Sequence, residues 1–475
     1  MKTLFLNPPS FDGFDGGAGS RYQARREIKS FWYPTWLAQP AALVPDSKLI
    51  DAPPHDVTVD QALDAAADNE LVIIHTSTPT LPNDIKFVRT LKERKPETVV
   101  GFVGAHVAVL PEQSLAACPE VDFVAGREFD FTIKEIAEGA PLAEVQGISY
   151  WDRDKNQIVK NGERPLIGNM DDLPFVTDVY KRDLEIEKYY IGYLQHPYVS
   201  LYTGRGCYSR CIFCLWPQTI GGHTYRVRSA DHVFEEMKRA QKLFPTVKEF
   251  FFDDDTFTDN RPRAEDVARK LGTLGITWSC NAKANVPHDT LKVMRENGLR
   301  LLLVGFESGN QEILNGIRKG IRVDRARDFV RNCKKLGIRI HGTFILGLPG
   351  ETRQTMRETM EYARELDVET IQVSLAAPYP GTELYARAVQ NGWLKQGDLV
   401  DSHGIQEAMI EYPDLSRQEI FEGVEQFYRR FYMRPAPILR IMKDMAQDRH
   451  EAGRRLREGY EFLKFFTQRR QPASG

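Results

Sequence analysis

Residues 199–214 read VSLYTGRGCYSRCIFC, and the rest of the chain is organised around them. Val199 to Thr203 is strand-like, and directly after it Cys207, Cys211 and Cys214 fall in a C-x3-C-x2-C spacing. Three thiolates on one short loop suit an iron-sulfur cluster held by cysteine sulfur. Four irons with three protein ligands leave one iron open, which marks a reacting metal centre and not a closed structural one. The competing use is a zinc site completed by His223, although zinc sites normally take cysteines in C-x2-C or C-x4-C pairs contributed in twos. The other cysteines, Cys118, Cys280 and Cys333, stand alone and read as small buried hydrophobes in a reducing compartment.

Downstream, strand candidates at 199–203, 249–252, 277–281, 301–305, 339–345 and 370–375 alternate with helical patterns at 230–243, 261–272, 289–297, 323–336 and 352–366. Ser229 reads as an N-cap, and Asn297-Gly298 and Leu336-Gly337 as helix ends. Six βα repeats predict an incomplete parallel barrel over 197–385, with its site at the C-terminal ends of the strands. Upstream, TLFLN (3–7), KLID (48–51), ELVIIH (70–75), TVVGFVG (98–104) and DFVA (122–125) are nearly continuous apolar runs separated by helix-period segments. This predicts a Rossmann-like, doubly wound parallel sheet over 1–140. Between the two, residues 141–196 read as a hairpin and linker, and 386–475 as a helical C-terminal region.

The 475 residues carry 63 Lys+Arg against 66 Asp+Glu, a net charge of -3, which gives no electrostatic footprint for nucleic acid. MKTLFLN, at residues 1–7, is too short for a signal-peptide core, and no apolar run approaches a spanning helix, so a cytoplasmic protein is expected. The stretch from Glu425 to Arg470 holds 12 Lys/Arg against 6 Asp/Glu, with Phe427, Tyr428, Phe431, Tyr432, Tyr460, Phe462, Phe465 and Phe466. It reads as a helical cap, or as a surface for peripheral contact with the inner face of a membrane.

The cysteine motif, with Phe213 before its third cysteine and a six-strand barrel around it, resembles the radical S-adenosylmethionine (SAM) superfamily. The resemblance implies a 4Fe-4S cluster held by Cys207, Cys211 and Cys214, whose open iron chelates SAM, and a 5'-deoxyadenosyl radical that abstracts a substrate hydrogen. It extends to Asp254, Asp255 and Phe257 at one strand end, to Glu307 in Gly-Phe-Glu-Ser-Gly, to Gly347 and Gly350, and to the Pro378–Thr382 turn. Asp254 and Glu307 are thereby expected to position SAM, and no residue is singled out as a general acid or base.

The N-terminal unit is similar to the cobalamin-binding-type domain of one radical SAM class, with Gly104 and His106 in its V-G-G-x-H turn. Ala105 departs from that pattern, and no D-x-H-x-x-G motif is present, so the residues leave cobalamin open. Across the whole chain, from NPPSFDGFDGG (7–17) to FYRRFYMRP (427–435), the sequence resembles hopanoid-biosynthesis-associated radical SAM proteins. That implies a hopanoid lipid substrate, ring contraction of an amino-sugar head group to a cyclitol ether, and a flavodoxin- or ferredoxin-type reductant. The alternatives are a cobalamin-dependent C-methyltransferase and a non-catalytic iron-sulfur or cobalamin sensor. A methylthiotransferase would need three further N-terminal cysteines, and only Cys118 precedes residue 200.

Overall fold

The computed structural model describes residues 1–12, 30–395, 397, 399–400, 406–447, 453, 456–457 and 459–460. The apolar runs at the start of the chain form β1 (Thr3–Asn7), β2 (Ser47–Asp51), β3 (Leu71–His75), β4 (Val99–Val103) and β5 (Phe123–Ala125). A hairpin of β6 (Ile148–Asp152) and β7 (Gln157–Lys160) continues the sheet, in the order β2-β1-β3-β4-β5-β6-β7. β1 to β5 are parallel, and β6 and β7 are antiparallel additions. Side-chain alternation sends Phe5, Leu71 and Ile73 into the core shared with the second sheet. Leu4, Leu6, Val72 and Ile74 go into a separate core on the other face. Burial on both faces is why these strands read as continuous apolar runs.

The second sheet begins with β8 (Tyr198–Leu201), followed by a short antiparallel ribbon of β9 (Gly204–Arg205) and β10 (Arg226–Val227). β11 (Glu249–Phe252), β12 (Trp278–Ala282), β13 (Leu299–Glu307), β14 (Arg339–Leu346) and β15 (Thr370–Leu375) then pair in chain order. All six long strands are parallel, with helices between them, as a partial barrel requires. Local signals set the helix ends: Ser229 Oγ accepts from His232 N at 3.1 Å, and Gly337 closes its helix at φ +67°.

An open barrel has two bare edges, whose amides and carbonyls need partners. On β8, the Tyr33 hydroxyl donates to the Tyr198 carbonyl at 2.7 Å. On β15, the hydroxyls of Tyr428 and Tyr432 accept from Val373 N and Ile371 N, each at 3.0 Å, from the helix Arg417–Tyr432. This corrects the lipid-facing reading for part of the C-terminal stretch: Phe427, Tyr428 and Phe431 are buried against the barrel edge. Phe462, Phe465 and Phe466 lie outside the described residues, as does much of 448–475 and the 13–17 part of the NPPSFDGFDGG stretch. Among the described residues no helix is long and apolar enough to cross a membrane.

One element was not anticipated, the helix Thr35–Leu43, which contains Pro40 and whose Trp36, Leu37 and Ala38 join the core that both sheets share. Its Trp36 stacks on Trp216, two residues past Cys214, with ring centroids 5.8 Å apart.

Candidate functional site

The ribbon β9/β10 is the stem of a loop that carries all three clustered cysteines. At its entry Gly206 has φ +90°, and a Cβ there would lie 2.2 Å from the Thr224 carbonyl oxygen, so only glycine lets the two limbs close. Ser209 N–H points at Cys207 Sγ at 3.4 Å. Gln218 Nε2 lies within hydrogen-bond reach of three loop carbonyls: Cys211 and Ile212 at 3.2 Å and Cys214 at 2.7 Å. Its Oε1 accepts from Glu383 N at 2.9 Å, which ties the loop to the helix after β15. Nothing in the spacing of the motif marks Gln218, and sequence reasoning passed over it.

Burial pushes all three thiols up, Cys214 well above its ordinary value, and the neighbouring Cys211 and Cys207 add to the effect on Cys214. Among the described residues no three His, Cys, Asp or Glu side chains converge as they would on a single ion. His223 Nδ1 lies 3.0 Å from the Ser209 carbonyl, engaged with the loop backbone. The donor chemistry, soft sulfur spread around one loop with an amide aimed at one of the sulfurs, fits a cluster.

The adjacent aspartates at the end of β11 differ. Asp254 is fully buried: its Oδ1 accepts from Thr203 N at 2.5 Å and its Oδ2 from Thr203 Oγ1 and Tyr225 OH, both at 2.6 Å. This carboxylate braces the strand ends beneath the cysteine loop, and the expectation that it faces SAM does not match its surroundings. Asp255 is exposed and accepts from Gly206 N at 3.0 Å, at the entry to the loop. Glu307 ends β13 at φ +61° and holds Lys319 Nζ at 2.5 Å, with that nitrogen 6.0 Å from the Phe213 ring centroid. Burial works against the Lys319 charge, but Glu307 and then Cys211 outweigh it and hold the ammonium above its ordinary range. Lys319, like Gln218, carries no sequence signal of its role. Past β14, Gly347 N and Leu348 N donate to Glu351 Oε2 at 2.5 and 3.1 Å. Burial pushes the Glu351 carboxyl up to about 8, while the two amides pull it back.

From the first sheet, Gly104 follows β4 at φ +118°, where a Cβ would lie 2.3 Å from the Thr76 carbonyl oxygen. His106 Nδ1 is 3.0 Å from Thr78 Oγ1, and burial lowers the pKa of its ring. The helix Ala105–Val109 packs on Pro217–Gly221, the segment just past the third cysteine. Gly381, between the two, is confined so closely that a Cβ would meet Val109 Cγ1 at 2.5 Å and Thr219 Cγ2 at 3.1 Å. The helix Ala105–Val109, the Pro217–Gly221 segment after the cysteines and the Pro378–Thr382 turn therefore meet. Gly104 is packed against Thr76 so closely that only glycine fits, and the turn it forms leaves His106 beside Thr78.

Residues 201–363 match the radical SAM superfamily. The chain is 29% identical over 453 residues to an uncharacterized methyltransferase of Pyrococcus horikoshii, covering 93% of this chain and 94% of that protein. It is 26% identical over 317 residues to the hopanoid C-3 methylase of Methylococcus capsulatus, covering 64% of this chain and 57% of that protein. Among solved structures its fold is similar to that of the radical S-adenosylmethionine methyltransferase TsrM from Kitasatospora setae with cobalamin and a 4Fe-4S cluster bound. The TM-score is 0.70 at 14% identity, over 97% of this chain and 98% of that one.

Proposed function

We propose that this chain, which carries a radical SAM domain, is a cobalamin-dependent radical SAM methyltransferase acting on a hopanoid-type lipid. The observation that carries this reading is the junction between the domains, where the helix Ala105–Val109, which follows Gly104, meets the Pro217–Gly221 segment after the cysteines and the Pro378–Thr382 turn. End-to-end similarity to a methyltransferase supports it. Cys207, Cys211 and Cys214 would hold the cluster, and the Gly104–His106 turn would line the cobalamin. When bound, the cluster supplies the electron that cleaves SAM reductively and cobalamin supplies a carried methyl group.

The chain's own residues bind and orient. Gln218 and Ser209 fix the loop around the sulfurs. Asp255 and Glu307 offer carboxylates toward the cysteine loop, suited to the amino group of SAM. Lys319, held between Glu307 and the cysteines, offers a cation to its carboxylate. Asp254 keeps the strand ends beneath them in register. The hopanoid is supported by the whole-chain resemblance and by the methylase of Methylococcus capsulatus. Access to such a lipid is proposed through the C-terminal region, where Ile438, Leu439 and Met442 are exposed on the helix Pro435–Gln447.

Ring contraction of the head group is the second reading, favoured by the resemblance alone. Anaerobic incubation of cluster- and cobalamin-loaded protein with SAM, reductant and candidate hopanoids separates the two. Methyl transfer yields 5'-deoxyadenosine together with S-adenosylhomocysteine and a methylated lipid. Ring contraction yields 5'-deoxyadenosine without S-adenosylhomocysteine. Turnover without cobalamin at an unchanged rate would overturn the proposal.

A further inference from the structure

The stem of the cysteine loop has an unusual composition. Arg205 on β9 and Arg226 on β10 are register partners, directly opposite each other in a two-residue antiparallel ribbon. Like charges placed opposite in a ribbon repel, and here they would push apart the two limbs that carry the cysteines. The compensating charges come from the other domain. Asp130, fully buried at the start of the helix Asp130–Ala137, takes Arg205 in a two-point pair at 2.6 and 2.9 Å. Glu128, also buried, takes Arg226 in a second two-point pair, both bonds at 2.7 Å. Planar fork-to-carboxylate pairs fix orientation as well as distance.

Each arginine also reaches into the loop. Arg226 Nη2 donates to the Gly221 carbonyl at 2.8 Å, at the end of the segment that follows the cysteines. Arg205 lies 4.5 Å above the Trp36 ring, which stacks on Trp216 just past Cys214. Entry, exit and flank of the loop are thus all referred to two carboxylates on the cobalamin-type domain.

We propose that Glu128 and Asp130 are positioning residues for the cluster: through Arg205 and Arg226 they set, from the first domain, the spread of the loop that holds it. This rests on the reading of Cys207, Cys211 and Cys214 as cluster ligands. A consequence is that anything displacing the Phe123–Ala137 region of the first domain alters how the barrel holds its metal.

The test compares Asp130→Asn and Glu128→Gln with Glu249→Gln. Glu249 is also fully buried and paired with an arginine, Arg300 at 2.8 Å, but at the opposite end of the barrel strands. The readouts are iron per chain after anaerobic reconstitution, the chelator concentration that strips half the iron, the EPR spectrum of the reduced cluster with and without SAM, and the thermal transition of the metal-free protein. The two ribbon variants are expected to fold, to lose iron at about tenfold lower chelator and to give a broadened, SAM-insensitive spectrum. Glu249→Gln is expected to lower the thermal transition comparably while keeping iron and spectrum. Should Asp130→Asn fail to fold, Asp130→Glu keeps the charge and lengthens the arm by one methylene, and is expected to retain the fold with an altered spectrum. Wild-type iron retention and spectra in the ribbon variants would overturn the inference. So would iron loss in all three variants in proportion to their thermal transitions, which is what a purely structural role produces. A wild-type protein that takes up no cluster would instead overturn the reading of the cysteines, and this inference with it.

Discussion

Gln218 Nε2 donates to the Cys214 carbonyl at 2.7 Å, reaching four residues back along the chain. The same nitrogen lies 3.2 Å from the carbonyls of Cys211 and Ile212, so one side chain gathers the turns between two of the three cysteines. Gln218→Ala removes this shared donor, leaving the Cys211 carbonyl only Cys214 N at 3.3 Å, a cost of about 1–3 kcal/mol. The expected outcome is a protein that folds and reconstitutes but sheds iron faster on dilution into chelator. Gln218→Glu, which puts an acceptor where the donor was, is expected to do so faster still.

Cys207, Cys211 and Cys214 share one loop, whereas Cys118, Cys280 and Cys333 are each wholly buried in apolar cores. Replacing any one of the first set by Ala is expected to abolish SAM cleavage and the brown absorption of the reconstituted protein. Replacing any of the second set should leave both intact. A full cluster in Cys211→Ala would overturn the assignment.

Asp254 and Asp255 are adjacent in sequence and predicted to differ in effect. Asp254→Asn disturbs an acceptor that serves Thr203 twice and Tyr225 once, in a fully buried site, and is expected to lower unfolding stability by about 1–3 kcal/mol. Asp255→Ala, at an exposed position, is expected to leave stability unchanged and to weaken SAM binding by the cluster-loaded protein, measured by equilibrium dialysis.

Glu351 supplies a pH signature. Its carboxyl titrates near 4.5 ordinarily and near 8 in the fold, so between those values the folded chain holds a proton that the unfolded chain has released. Stability from this group is complete below the lower value and falls as pH rises toward the upper one, by about 1.4 kcal/mol for each unit of displacement at most. Urea unfolding from pH 5 to 9 should therefore show wild-type stability declining relative to Glu351→Gln. Parallel profiles would show that the carboxyl is not displaced.

At the barrel edge, Tyr428→Phe removes the acceptor of Val373 N while keeping the ring. Leaving a buried strand amide unpaired is expected to cost about 1–3 kcal/mol in urea unfolding, with little change in cluster content, since the edge lies on β15 and the cysteines follow β8.

Sequence alone determined what depends on neighbours along the chain. Cysteine spacing is such a property, because a loop of eight residues can place three sulfurs around one body whatever surrounds it. The strand runs and the Ser229 cap are others, since burial on both faces and capping geometry are written within a few residues. Tertiary structure alone decided which charges meet. Asp254 and Asp255 look alike in sequence, but the bend at the end of β11 turns one to Thr203, 51 residues away, and leaves the other exposed. Glu128 and Arg226 are 98 residues apart, and nothing local in either announces the pair. The aromatic stripe of Arg417–Tyr432 has a period that fits a lipid surface or a barrel edge equally well. Helical periodicity encodes only that a face is apolar, and the unpaired amides of β15, brought alongside by the fold, selected the edge.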